Sequence, residues 1–172
     1  MKKWLFLILL FPLTCVAQTY RYIGVEDGLS NRRVYCIQKD KTGYMWFLTH
    51  EGIDRYNGKD FKRYKLMDGD AEVNSLLNLN WLYIDQEGVL WEIGKKGKVF
   101  RYDQIHDCFS LVYKLPMESF SEQPDPITYA WLDENKHIWL CNKDTIFLYN
   151  TETQLVTHIK NDISEEITDI EQ

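Results

Sequence analysis

Few residues in this sequence carry the means for bond chemistry, and they are scattered. The four histidines, His50, His106, His137 and His158, stand at no spacing that metal coordination uses. Beyond the N-terminal leader described below, Cys36, Cys108 and Cys141 are an odd set with no Cys-x-x-Cys pair. They fit neither a disulfide framework nor a zinc site and read as small apolar side chains. His50-Glu51 is the only adjacent pair of histidine and glutamate, a combination that general acid and base chemistry uses. No Gly-x-Ser-x-Gly, no Gly-rich phosphate loop and no His-Glu-x-x-His occurs. The expectation is no catalytic residue, no metal and no cofactor. Three further carboxylates, Asp40, Asp85 and Asp133, recur regularly, and regular recurrence points to turns rather than to an acid.

Those carboxylates belong to a repeat. "VYCIQKDKTGYMW" at 34–46, "LNWLYIDQEGVLW" at 79–91 and "ITYAWLDENKHIW" at 127–139 superpose without a gap. Each Asp stands six residues before a tryptophan, Trp46, Trp91 or Trp139, and the tryptophans are 45 and 48 residues apart. Gly52 and Gly97 lie six residues after their tryptophans; Tyr56, Tyr102 and Tyr149 lie ten or eleven after. Within the first unit, short β-branched and aromatic runs alternate with turn residues, which predicts strands near 33–39, 44–49, 53–56 and 61–65. A four-stranded antiparallel unit at this period is a β-propeller blade. The fold class expected is all-β: three blades at about 30–66, 76–115 and 125–160, with the first strand of a fourth at 163–172, forming an incomplete ring. A blade is a sheet covered on both faces by its neighbours, so the three tryptophans are expected in the core, each burying ~150–250 Å². In the third unit Lys136 and Thr145 replace the two turn glycines, so those turns must use Asn135 and Asp144 or change type. Pro116, Pro124 and Pro126 mark a surface loop between units two and three.

Composition bounds the partners. A chain of 172 residues with 45% hydrophobic and 15% aromatic content has a core. Lys2 and Lys3 precede an apolar run from Trp4 to Leu13 and a small residue at Ala17, which reads as a secretory signal peptide over 1–17. The alternatives are a permanent anchor, for which the run is about half the ~20 residues needed, and a lipoprotein acylated at Cys15. Cleavage after Ala17 removes two lysines and moves the net charge from −6 to about −8. That balance argues against a nucleic-acid partner, which needs a basic face. The mature chain, 18–172, is expected in the periplasm or outside the cell.

"YIGVEDGLSNRRVYCIQKDKTGYMWFLTHEGIDRYNGKDFKRY" at 22–64 resembles the first blade of the two-component regulator propellers. The Gly-Leu-Ser-Asn stretch, the Asp-x-x-Gly-x-x-Trp spacing and the Gly-Ile-Asp-Arg-Tyr-Asn-Gly run carry the resemblance together. It extends over residues 20–172, most closely in the first unit. The resemblance implies the N-terminal periplasmic sensor region of a hybrid two-component system of gut Bacteroidetes. It further implies that the parent senses glycan fragments and that kinase and regulator parts lie in a longer protein. "YRYIGVEDG" at 20–28 parallels "FKRYKLMDG" at 61–69, an outer strand that in a closed propeller completes the last blade.

In such a scaffold the loops between second and third strands share a face with those entering the first strand. That face is expected to carry Arg32, Arg33, His50, Glu51, Lys95, Lys96, Lys143 and Asp144, as sugar-binding positions or as solvated turns. The leading reading is a binding and signalling scaffold, truncated from its parent and without catalysis. Two others stand beside it: a secreted propeller lyase using the His50-Glu51 pair, and an inactive truncated product. Laid on the repeat, Ile167 falls at the position of Val34, Leu79 and Ile127, as a first strand lacking its partners. An open arc of this kind is expected to self-associate or to pack against the remaining blades.

Overall fold

A computed structural model of the chain describes residues 20–69, 71–73, 79–115, 126–143 and 145–160, without the side chains of 72, 73, 79, 80 and 160. The leader at 1–17, Cys15, Pro116, Pro124, Asp144 and the segment 163–172 lie outside the described residues. Three antiparallel sheets follow one another along the chain. The first blade is β1 (Val34–Lys39), β2 (Met45–Thr49), β3 (Gly52–Tyr56) and β4 (Phe61–Tyr64), paired in sequence order. Two short strands, β5 (Leu66–Asp68) and β6 (Ala71–Val73), lead to the second blade, β7 (Leu79–Ile84), β8 (Leu90–Gly94), β9 (Lys98–Asp103) and β10 (Cys108–Lys114). The third is β11 (Tyr129–Leu132), β12 (His137–Cys141), β13 (Thr145–Asn150) and β14 (Val156–Lys160).

β5 adds to the second sheet, running parallel to β10 with Leu66 opposite Phe109 and Met67 opposite Ser110; β6 then pairs with β5. Sequence pattern does not reveal this excursion, because a three-residue strand is too short to show alternation. Only Leu66, 2% exposed, is anchored in the core. At the N-terminus the expected outer strand is absent. Residues 20–24 pair with no strand, and Val25–Asp27 form a single 3-10 turn closed by Gly28 at φ 109°. The Gly-Leu-Ser-Asn stretch instead straps blade one. Leu29 is buried, the Ser30 amide donates to Asp54 Oδ2 at 2.8 Å, and the Ser30 and Thr49 hydroxyls bond at 2.8 Å.

Each repeated aspartate divides its two oxygens between turn and core. Asp40 Oδ1 accepts the amides of Thr42 and Tyr44 at 2.9 and 3.0 Å, while Oδ2 accepts the Trp46 indole N–H at 2.8 Å. Asp85 does the same with Val89 and Trp91, and Asp133 with His137 and Trp139. The hairpin and the core side chain are thereby fixed by one carboxylate. Gly43 and Gly88 supply the left-handed residue of this turn, at φ 96° and 91°. In blade three Lys136 takes that conformation itself, at φ 64°, and its ammonium bonds Glu87 and Glu152. At the second substituted turn the Thr145 amide donates to Asn142 Oδ1 at 2.7 Å.

The core lies between blades. Trp46, Leu48 and Ile53 of blade one meet Leu82, Leu90, Phe100 and Phe109 of blade two; Trp91, Ile93 and Val99 meet Ala130, Ile138, Leu140 and Tyr149 of blade three. Trp46 packs against Tyr102 and Phe109 at centroid separations of 5.0 and 5.9 Å. The inner strands are stitched at one repeat position, where Gln38 Nε2 donates to the Leu82 carbonyl at 3.0 Å and the Tyr83 hydroxyl to that of Ala130 at 2.6 Å. Trp46 and Trp91 are 1% and 4% exposed. Trp139 departs from the expected full burial and is half-buried, because no further blade covers it among the described residues.

Candidate functional site

Strands β1, β7 and β11 start, and β2, β8 and β12 end, at one end of the blades. The candidate loops therefore share a face. Arg32 and Arg33 enter β1, His50 and Glu51 join β2 to β3, Lys95 and Lys96 join β8 to β9, and Lys143 lies between β12 and β13. Backbone bonds fix two of these loops: the His50 amide donates to the Arg33 carbonyl at 3.0 Å, and the Ile127 amide to that of Lys95 at 2.7 Å. The second bond places Lys95 at the seam between blades two and three. Asp144 is outside the described residues.

His50 and Glu51, adjacent in sequence, are committed to different partners. His50 Nδ1 bonds the Tyr35 hydroxyl at 2.8 Å, with the two rings tilted at 6.3 Å. Glu51 Oε1 accepts from Asn31 Nδ2 at 3.3 Å, and Oε2 from the Arg63 guanidinium at 3.4 Å, which also donates to the Glu51 carbonyl. A proton-transfer pair needs both groups within hydrogen-bond reach of one reacting atom. Here the carboxylate is turned to the β4 side and the imidazole to β1.

The two ends of the blades carry opposite charge. At the loop face Arg32, Arg33, Lys95 and Lys96 are exposed and have no ion pair among the described residues; Lys143 is also exposed. At the other end the turns hold Asp40, Asp60, Asp85, Glu87, Asp103, Asp107, Asp133, Glu134 and Glu152 against Lys41, Lys59 and Lys136. Among the described residues these turns thus hold nine acids against three bases.

Sequence reasoning missed two polar features of the seam between blades one and two. A groove of about 910 Å³ opens there at the hairpin end, lined among others by the repeat residues Asp40, Trp46 and Tyr102. Within it the Arg55 guanidinium sits over Tyr44 at 4.5 Å and near Trp46 and Tyr64 at 5.4 and 5.3 Å. Asp107 reaches across from blade two, accepting the Tyr64 and Tyr102 hydroxyls at 2.7 Å each and the Lys62 ammonium. Burial opposes ionisation of Asp107, but Lys62 and the two hydroxyls hold its carboxyl well below the usual range. The second feature is Glu92 on β8, fully buried, with both oxygens unpartnered. Burial alone pushes its carboxyl well above 4.5, which favours the protonated, neutral acid. The signal for it was present, since Phe47 and Leu140 hold its place in the other blades. Among the described residues no cluster of three or more His, Cys, Asp or Glu side chains could hold a metal ion, and Cys36, Cys108 and Cys141 are free thiols.

Comparison with known proteins places these features. Residues 28–51, the strap with β1 and β2, match the two component regulator propeller family. The fold is similar to the extracellular domain of BT3049 from B. thetaiotaomicron, named as a hybrid two component system, with 27% identity, a TM-score of 0.63, and coverage of 81% of this chain and 20% of that one. It is similar also to the extracellular domain of BT4673 from the same organism, with 20% identity and a TM-score of 0.64 over 86% of this chain and 19% of that one. The chain therefore spans about a fifth of the length of these domains. Virginiamycin B lyase from Staphylococcus aureus shares the fold, at 19% identity and a TM-score of 0.53 over 74% of this chain and 41% of that one. No curated protein matches the sequence.

Proposed function

We propose that this chain, which carries two component regulator propeller repeats, is a non-catalytic part of the extracellular sensor of a hybrid two-component system and takes an oligosaccharide at its loop face. The observation that carries this reading is the division of His50 and Glu51 between Tyr35 on one side and Arg63 with Asn31 on the other. The face keeps polar tips for sugar hydroxyls, and Tyr35, 45% exposed, offers a ring for a sugar face. Among the described residues it has no converged pair of His50 and Glu51 for cleaving a bond. The 27% identity to a two-component extracellular domain supports the signalling context, and the parent location would be the periplasm after removal of the leader near Ala17. Kinase output would belong to a longer protein, whose further blades would cover the half-buried Trp139. The test is calorimetric titration of the full chain with a panel of oligosaccharides, with mass analysis of each saccharide afterwards. Saturable binding with the saccharide unchanged is expected. Cleaved product would overturn the non-catalytic reading, and no binding across the panel would remove the ligand assignment.

A further inference from the structure

The loop face is held cationic on an acidic protein, which narrows the ligand class within the reading just given, on which this inference rests. Arg32-Arg33 and Lys95-Lys96 are two adjacent like-charged pairs, exposed and without ion pairs among the described residues. Among the described residues nine acids stand in the hairpin-end turns, and Glu51 at the loop face is tied to Arg63. Like charges closer than the ~8–10 Å screening length repel, and a turn of neutral polar residues would fold as well. The backbone beneath the cations is fixed by the bonds of Arg33 to His50 and of Lys95 to Ile127. Among the described residues the four side chains above it have no ion pair. A neutral saccharide gains little from such a field. A carboxylate or sulfate gains charge-assisted hydrogen bonds, bidentate in the case of arginine, and the acidic opposite end directs an approaching anion to this face.

We infer that the loop face binds an anionic oligosaccharide, one bearing carboxylate or sulfate groups, through Arg32, Arg33, Lys95 and Lys96. The experiment titrates the full chain with dextran sulfate, oligogalacturonate and neutral dextran at ~0.05 and ~0.3 M NaCl, where ionic contacts differ in screening. At least one acidic probe is expected to bind about ten-fold or more tightly than neutral dextran and to weaken about ten-fold at the higher salt. Whether sulfate or uronate wins identifies the anion. Arg32→Ser with Arg33→Ser, and Lys95→Ser with Lys96→Ser, should each weaken that binding about ten-fold. Lys41→Ser with Lys59→Ser at the hairpin end should leave it unchanged, and all three variants should keep the parent unfolding midpoint. Neutral dextran binding as tightly as the acidic probes would overturn the inference while leaving an oligosaccharide sensor standing. Failure of every saccharide to bind would overturn both. Undiminished binding in the two loop variants would overturn the assignment to this face. Equal binding of a single-stranded oligonucleotide would show an unselective anion surface and overturn the saccharide class.

Discussion

Replacing Glu92 by leucine should stabilise the protein and remove part of its pH dependence. The slot is apolar by every neighbour: Leu82 and Phe100 flank Glu92 across the strands, and the same repeat position holds Phe47 and Leu140 in the other blades. A fully buried polar group without partners costs about 1–3 kcal/mol, which the leucine would recover even where the acid is neutral in both states. The titration adds to this. Because the folded carboxyl ionises well above 4.5, the native state binds more protons than the unfolded chain once pH exceeds that value. Its contribution is complete below about pH 4.5 and falls by about 1.4 kcal/mol per pH unit until the folded acid itself ionises. From about pH 5 upwards the difference in stability between Glu92→Leu and the parent should widen with pH, by at most about 1.4 kcal/mol per unit. Glu92→Gln, which keeps the size and polarity without titrating, should lose the same slope while recovering less stability. The assay is urea unfolding followed by tryptophan emission for the three proteins at about pH 5 and about pH 7, with unchanged m-values as the check that the same surface unfolds. A leucine variant less stable than the parent at pH 7, or one that tracks the parent's pH slope, would refute the assignment of Glu92 as a neutral, unpartnered acid.

Three other outcomes follow from the same contacts. Asp85→Ala, which deprives the Trp91 indole and the Val89 amide of their acceptor at once, should cost about 2–3 kcal/mol in thermal unfolding, and Asp85→Asn, which retains one acceptor, about half of that; equal losses would contradict the shared-carboxylate turn. Asp107, with a depressed pKa, stabilises the folded state above its ordinary value of 3.8 and loses that contribution as pH falls further, so Asp107→Asn should flatten the acid limb of the unfolding midpoint; an unaltered limb would show that the cluster with Lys62, Tyr64 and Tyr102 contributes nothing. Tyr20 and Tyr22 are 83% and 96% exposed and Ile37 of blade one 51%, so light scattering should show concentration-dependent association that Tyr20→Ser with Tyr22→Ser weakens; a monomer at all concentrations would count against the sticky arc.

The propeller was legible because its determinants are local and repeat. Asp, Gly and Trp at fixed offsets set a hairpin and one large core side chain, and three copies align by eye. The indole-to-carboxylate bond was hidden in the same spacing: six residues carry the chain around the turn and set the Trp back beside the Asp. What the sequence did not reveal depends on which blade lies alongside. Trp139 has the same local sequence signals as Trp46, yet its burial depends on a neighbour, and Arg55 gains its aromatic surroundings partly from packing next to blade two. At the candidate site the loops could be assigned to one face from topology alone. That His50 and Glu51 turn to opposite sides could not, because Asn31 and Arg63 reach Glu51 from 20 and 12 residues away.

The two seams between blades differ in their ionisable groups. Asp107 and Gln154 occupy matching left-handed positions, at φ 52° and 59°, just before the outer strands of blades two and three. Across the first seam Asp107 meets Arg55, Lys62 and two tyrosines. Across the second, Arg101 holds the place of Arg55 and lies over Trp91 at 5.8 Å, but the residue matching Asp107 is a neutral glutamine. Glu92 likewise lies in the first seam, and Leu140 replaces it in the next blade. Ionisation therefore acts on the first seam from both sides: protonation of Asp107 loosens it in acid and ionisation of Glu92 loosens it in base. The second seam carries neither group. Lys95, bonded through its carbonyl to Ile127, is seated on this second junction, which the surface Lys136–Glu87 ion pair crosses instead. A surface ion pair contributes little beside a buried acid, so hydrogen exchange at the Leu82 strand should vary with pH more steeply than at the Ala130 strand.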